Sequence, residues 1–176
     1  MSSKEDEEGK QLGDPSYWDS RYATSDGKKP THEWFKTFSA LESFFQSHLL
    51  NSYSQDARIL HLGSGDSTIP HHLLERGYKN QLCVDFSPVV VQLMSARDGP
   101  GIEWKQADVR NLDFLPDASI DIAFDKGTLD AMIYGSPWDP PDEVKENTSR
   151  YIDEVRSGDL LTIWVTLNIV TGLSRT

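Results

Sequence analysis

The stretch RILHLGSGDSTIPHHLLERGY, residues 58–78, decides the fold of this chain. Its first residues are apolar and lead into glycine, which is typical of a buried strand followed by a sharp turn. A helix follows, because Ser67 or Thr68 can cap its amino-terminal end and Gly77 suits the position after its last turn. Pro70 is tolerated only in the first turn of that helix. The stretch therefore predicts a strand–turn–helix unit.

Strand and helix patterns alternate in the same way along the rest of the chain. Apolar segments at residues 81–86, 102–108 and 119–125 predict three more strands, and residues 87–99 predict a helix opened by a serine cap and a proline. Ahead of these, apolar residues at helical spacing predict an amphipathic helix over residues 33–50. Strands that alternate with helices indicate an α/β fold, a Rossmann-like, doubly wound and mostly parallel sheet.

The pattern also suggests how the chain is divided. Residues 1–14 are charged with almost nothing to bury, so we expect a disordered acidic tail there. Residues 15–176 are expected to form a single domain. After about residue 155 the sequence does not read as the remaining strands of a complete doubly wound sheet, so we expect this domain to be truncated at that end.

Composition limits the classes of function. The 176 residues carry a formal net charge of −11, so a nucleic-acid partner is disfavoured and a basic protein partner is favoured. Solubility alone is an equal explanation of this charge, so a basic partner and solubility both remain open. Cys83 is the only cysteine, which excludes an internal disulfide, and no apolar run is long enough for a membrane span. We expect a cytoplasmic monomer.

The glycine turn restricts the ligand. Gly63 and Gly65 allow positive φ angles and leave space for a ligand against the backbone at the carboxyl end of the first strand. The third glycine of the dinucleotide fingerprint is absent. Asp66 adds a negative charge where a pyrophosphate would lie. A ligand without phosphate is therefore favoured over the nicotinamide dinucleotide of an oxidoreductase.

Polar residues follow the next strands at the same edge of the sheet. Asp85, about 20 residues beyond the glycines, is placed to accept hydrogen bonds from both ribose hydroxyls, and Phe86 can pack on an adenine. Asp108 can accept from the adenine amino group, with Val109 as an apolar wall. An ordinary turn aspartate is an equal explanation of Asp108 alone.

The fourth predicted strand ends in a charged pair. Asp125 and Lys126 border the same crevice, and Gly127 lets the backbone turn after them. We expect Asp125 to accept a hydrogen bond from an incoming ammonium group, which orients that group without acting as a true base. A salt-bridged turn is the alternative. No residue is assigned as a catalytic base.

These strand ends, taken in order, resemble the class I S-adenosylmethionine-dependent methyltransferases. The cofactor of that family carries a sulfonium, an ammonium and a carboxylate but no phosphate. Five sequence motifs are similar to those of the methyltransferase-like group that contains the elongation factor 1-alpha lysine methyltransferases. They are YWDSRY, EWF, ILHLGSGDS, VDFSPVVVQLM and DKGTLDAM. The similarity runs from about Tyr17 to about Val155.

The resemblance implies S-adenosylmethionine as cofactor and methylation of a protein lysine, with a translation elongation factor as substrate. The cofactor-binding positions that it implies are Trp18, Tyr22, Trp34, Gly63, Asp85, Phe86, Asp108, Val109 and Lys126, with Gly65 in the same turn. Ser64 and Asp66 depart from the cysteine and asparagine common in the family. A non-catalytic cofactor- or partner-binding module and a small-molecule methyltransferase remain as alternatives.

Overall fold

The computed structural model describes residues 4–28, 30–31, 33–136, 138–156, 161–165 and 170–173. Its strands are β1 (Ile59–Leu62), β2 (Gln81–Asp85), β3 (Glu103–Gln106), β4 (Ile122–Lys126), β5 (Leu161–Val165) and β6 (Val170–Leu173). They form one sheet in the order β3-β2-β1-β4-β5-β6. The strands from β1 to β5 pair in parallel, and β6 is antiparallel to β5. The predicted mostly parallel α/β sheet is confirmed.

Seven α-helices accompany the sheet in the described residues. They are α1 (Lys4–Leu12), α2 (Pro15–Tyr22), α3 (Phe38–Phe45), α4 (Ile69–Glu75), α5 (Pro88–Asp98), α6 (Thr128–Met132) and α7 (Asp142–Arg156). A π-helical turn over Gln46–Leu50 continues α3. Successive side chains of a strand point to opposite faces, so both faces of the sheet need a cover.

The two faces of β1 bury different apolar clusters. Ile59 joins residues of α3 and α4 in one cluster, whereas Leu60 and Leu62 join residues of β2 and α7, including Tyr151, in another. A third cluster packs α2 on α5. Helices therefore cover both faces, and the carboxyl ends of β1, β2 and β4 are left at one edge of the sheet.

Local signals at the helix ends agree with the sequence. The Ser87 side chain accepts a hydrogen bond from the amide of Val90, and Pro88 opens α5. Thr68 precedes α4, but its side chain makes no capping hydrogen bond; Oγ of Ser67 instead accepts from the amide of Ile69 at 3.3 Å. Pro70 is the second residue of the helix. Gly77 follows that helix with a φ of +94°. The strand–turn–helix unit predicted from residues 58–78 is confirmed.

Two predicted segments differ from the structure. The helix expected over residues 33–50 begins at Phe38, because Thr37 accepts a hydrogen bond from the amide of Ala40 and caps it there. Phe35, with a φ of +57°, precedes that cap. The expected disorder over residues 1–14 is wrong for Lys4–Leu12, which form α1. A β-carbon placed on Gly9 would lie 2.8 Å from Cβ of Tyr134, so α1 packs against the end of α6.

The expected truncation after residue 155 concerns a region that is only partly described. Residues 157–160, 166–169 and 174–176 lie outside the described residues. Strands β5 and β6 extend the sheet there as two further members. None of the described helices is long and apolar enough to cross a membrane.

Candidate functional site

A cavity of about 740 Å³ opens at the carboxyl ends of the strands. This volume is in the range of small-molecule sites, and the place is where open α/β sheets bind ligands. All ten residues predicted for the cofactor line its wall, namely Trp18, Tyr22, Trp34, Gly63, Gly65, Asp85, Phe86, Asp108, Val109 and Lys126. The structure thus brings together residues that lie up to 108 positions apart in the chain. Their role toward a cofactor stays a prediction.

The glycine turn after β1 is fixed by the carboxylate at the end of β2. Gly63 and Gly65 have φ angles of +57° and +51°, as the sharp turn requires. The two carboxylate oxygens of Asp85 accept hydrogen bonds from the amide of Gly65, at 2.9 Å, and from that of Ser87, at 3.0 Å. Burial raises the pKa of Asp85 to about 6, although these two amides oppose the shift.

Asp66 and Lys126 hold Thr31, Glu33 and Trp34 close to the cavity, next to and within an aromatic segment that comprises residues 17–22 and 33–35. Asp66 is buried and accepts from the amide of Thr31 at 2.5 Å. Lys126 donates to Oε1 of Glu33 at 2.7 Å and to the carbonyl of Trp34 at 3.0 Å. Both charged groups therefore stabilise the fold at the cavity wall, and the sequence did not reveal these contacts.

The aromatic segment forms one wall. Trp18 and Tyr22 share a face of α2, as their spacing predicted, and their rings stack with centroids 5.7 Å apart. The Trp34 ring lies 5.9 Å from that of Trp18. The Trp18 indole donates to the carbonyl of Leu12 at 2.7 Å, which ties α2 to the end of α1. Three aromatic side chains in contact thus line one side of the cavity.

Asp108 has a partner that sequence reasoning missed. Arg110 donates to both of its carboxylate oxygens, at 2.6 Å for Nη2 and Oδ2, and also to Oδ1 of Asn147 at 2.6 Å. Burial alone would raise the pKa of Asp108, but the Arg110 guanidinium outweighs it and lowers that pKa. The Asp–Val–Arg spacing, which puts both side chains beside one turn, was the available signal.

Asp125 does not reach the cavity. It is fully buried and accepts from the amides of Thr128 and Leu129, both at 3.1 Å, and from the Tyr151 hydroxyl at 2.5 Å. Burial raises the pKa of Asp125 to about 6. The expectation that it orients an incoming ammonium is wrong, because α6 and α7 supply all three donors. Gly127 turns the backbone as predicted, with a φ of +94°.

The residues of α1 complete the wall. Glu7, Lys10 and Gln11 line the cavity together with the turn that follows the helix. No sequence pattern indicates these contacts, because a short, strongly charged helix becomes stable only through contacts with the rest of the fold.

The match to a known family covers the centre of this site. Residues 59–135 match the family model described as "Methyltransferase domain". The solved DhpI-SAM-HEP complex is similar in fold, with a TM-score of 0.56 and 20% sequence identity over 94% of this chain and 69% of that chain. Residues 59–135 thus resemble a methyltransferase domain, and the fold of the chain is similar to that of the DhpI-SAM-HEP complex.

Two curated relatives indicate which methyltransferases the chain resembles. The chain is 38% identical over 143 residues to EEF1A lysine methyltransferase 4 of Mus musculus, covering 79% of this chain and 54% of that protein. It is 31% identical over 128 residues to the eEF1A lysine and N-terminal methyltransferase of Mus musculus, covering 70% of this chain and 17% of that protein. The chain thus spans about half the length of the first of these relatives.

Proposed function

We propose that this chain binds S-adenosylmethionine in the cavity and transfers its methyl group to a lysine of a protein, with elongation factor 1-alpha as the substrate. The observation that carries the proposal is the charge of the cavity wall. Seven acidic side chains line it, Glu7, Asp14, Asp66, Asp85, Asp108, Asp130 and Glu143, against three basic ones, Lys10, Arg110 and Lys126.

This wall fits the cofactor better than it fits a nucleotide. Arg110 and Lys126 are both engaged with carboxylates of the chain, so they are poorly placed to bind phosphate. A sulfonium and an ammonium are favoured by an acidic wall and by ring faces nearby. Of these carboxylates, Asp66 and Asp85 are buried, and a bound cation would offset the repulsion between them.

Each part of the chain has a role in this proposal. Asp85 accepts hydrogen bonds from the ribose hydroxyls, and Gly63 and Gly65 let the ligand approach the backbone. Asp108, with its pKa held low by Arg110, stays ionised and accepts from the adenine amino group. When bound, S-adenosylmethionine supplies a methyl group on an already activated sulfonium. The chain's own residues orient the partners and exclude water.

Transfer and binding can be measured separately. Purified chain incubated with labelled S-adenosylmethionine and recombinant elongation factor 1-alpha should label the factor on lysine, as mass spectrometry of its peptides would reveal. S-adenosylhomocysteine should raise the melting temperature of the chain, whereas nicotinamide dinucleotides should not. Stabilisation by the dinucleotides instead would refute the assignment of the cavity.

A second candidate is a module that binds the cofactor or a partner without turnover. Binding of S-adenosylhomocysteine with no methyl transfer to elongation factor 1-alpha would support it. Transfer to small molecules but not to the factor would support a small-molecule methyltransferase.

The setting of the protein is also part of the proposal. A net charge of −11 favours a basic protein partner and disfavours nucleic acid. We propose a monomer in the cytoplasm. Sedimentation of the purified chain at several concentrations tests the first, and localisation of a tagged chain tests the second.

A further inference from the structure

We infer that the loop between α6 and α7 is a docking element for a basic segment of the protein partner, with Trp138 as its anchor. This inference deepens the proposed function, because it assigns a surface to the protein substrate. The loop comprises residues 133–141, of which all but 137 are described.

The loop is closed on itself at its base. Gly135 has a φ of +80°, and a β-carbon there would lie 3.0 Å from Cδ of Pro141, so the two arms of the loop touch. The Tyr134 hydroxyl donates to Oε2 of Glu143 at 2.9 Å. Both of these residues line the cavity. The base of the loop is therefore part of the cavity rim.

The loop presents apolar surface to solvent at Ile133, where it begins, and at Trp138, near its middle. Trp138 is 94% exposed and Ile133 is 51% exposed, the two largest values among the exposed large apolar side chains described. Tryptophan is the residue type most enriched among side chains that dominate binding energy at interfaces. A loop anchored at both arms loses little conformational entropy when it binds.

The charges around the tip select the partner. The side chains of Asp139 and Asp142 are 94% and 100% exposed, and Lys145 is the cation that pairs with both. The loop and the start of α7 thus carry net negative charge, in keeping with the −11 of the whole chain. A tryptophan flanked by acidic groups fits a lysine- or arginine-rich segment, through apolar, cation–π and ionic contacts. The acceptor lysine of such a partner would then be brought to the cavity rim.

Binding of recombinant elongation factor 1-alpha by biolayer interferometry tests this inference without requiring turnover. Trp138→Ala should raise the dissociation constant for the factor about tenfold or more. The double variant Asp139→Asn, Asp142→Asn should slow association and weaken its dependence on salt. Both variants should bind S-adenosylhomocysteine as the unsubstituted chain does, because neither changes the cavity wall.

Two exposed positions outside the cavity wall provide matched controls. Phe114→Ala removes another exposed aromatic ring, and Asp117→Asn removes another exposed carboxylate. Both should leave the dissociation constant for the factor unchanged. Equal loss in Phe114→Ala and Trp138→Ala would overturn the inference.

Other outcomes separate the two proposals. If the factor binds through Trp138 but is never methylated, the docking inference stands and the proposed function fails. If the factor is methylated while Trp138→Ala binds it normally, the docking inference alone fails. The docking inference is overturned if the unsubstituted chain does not bind the factor. It is also overturned if sedimentation shows a dimer of the chain that the Trp138→Ala substitution dissociates.

Discussion

Replacing Asp85 with asparagine tests the centre of the site. The carboxylate at the end of β2 is buried and accepts from the amides of Gly65 and Ser87, which leaves further acceptor capacity beside the cavity. Asparagine has nearly the same shape but carries no charge. We therefore expect Asp85→Asn to weaken the binding of S-adenosylhomocysteine while the sheet stays intact.

The size of the effect follows from the charge of the acceptor. Hydrogen bonds to charged groups contribute about 1.5–3 kcal/mol, and each 1.36 kcal/mol corresponds to tenfold in affinity. The dissociation constant should thus rise roughly 10- to 100-fold. The pH dependence of the dissociation constant provides a second quantitative test. Because burial raises the pKa of Asp85 to about 6, protonation competes with the ligand below that pH. At pH 5 the dissociation constant should be about tenfold higher than at pH 7.5.

Isothermal titration calorimetry between pH 5 and 8 is a suitable assay. Asp125→Asn is the matched control, because Asp125 is also buried with a pKa raised to about 6, yet it does not line the cavity. His61 does line the cavity, but burial lowers its pKa to about 4, below the range of the titration. The rise in the dissociation constant below pH 6 should persist in Asp125→Asn and disappear in Asp85→Asn.

Two results would refute this reasoning. One is an unchanged dissociation constant in Asp85→Asn at pH 7.5, which would mean that the ligand does not contact that carboxylate. The other is loss of the pH dependence in Asp125→Asn but not in Asp85→Asn. Circular dichroism at each pH establishes that every variant is folded.

Three further outcomes are expected. The pKa of Asp125 is about 6 in the folded chain, against an ordinary value of 3.8. As pH rises from 4 to 6, the unfolded chain loses this proton before the folded chain does. The free energy of unfolding should therefore fall by about 3 kcal/mol over that range. Urea titrations should show the stability of Asp125→Asn relative to the unsubstituted chain increasing over that range. Gly65→Ala should abolish measurable binding of S-adenosylhomocysteine, because a β-carbon there would lie 2.6 Å from the Tyr22 hydroxyl beside the cavity. Gly99→Ala is the control for backbone strain, because its φ of +60° is close to the +51° of Gly65 but a β-carbon there meets nothing within 4 Å; it should bind normally in the same calorimetry. Lys126→Met removes a charge-assisted hydrogen bond to Glu33. It should therefore speed limited proteolysis within the aromatic segment and raise the dissociation constant for S-adenosylhomocysteine about tenfold. Unchanged proteolysis would contradict the anchoring role of Lys126.

The sheet and most of the cavity wall were predictable because their signals are local. Apolar runs that end in glycine or aspartate mark the strands and their carboxyl ends, and parallel pairing then brings those ends to one edge. Gly63, Asp85 and Asp108 were therefore placed together without knowledge of any contact. The resemblance to methyltransferases added the aromatic positions, whose periodicity alone would have suited an ordinary packed helix.

The remaining parts depend on contacts between distant residues. The sequence of helix α1 predicts disorder because it is charged, and its place in the fold is set by packing of Gly9 on Tyr134 and by the Trp18 indole bonded to Leu12. Lys126 reads as a cofactor contact, but its ammonium bonds to Glu33, 93 residues earlier. No pattern along the chain specifies such a pairing.

Asp85 and Asp125 illustrate the same limit in one pair of side chains. Each ends a parallel strand, each is buried, and burial raises the pKa of each to about 6. Asp85 accepts from two amides, whereas Asp125 accepts from two amides and the Tyr151 hydroxyl. The third donor comes from a helix 26 residues further along the chain, and it closes that carboxylate off from the cavity. Of these two carboxylates, the one that lines the cavity has fewer donors from the fold, and that difference is decided by tertiary packing.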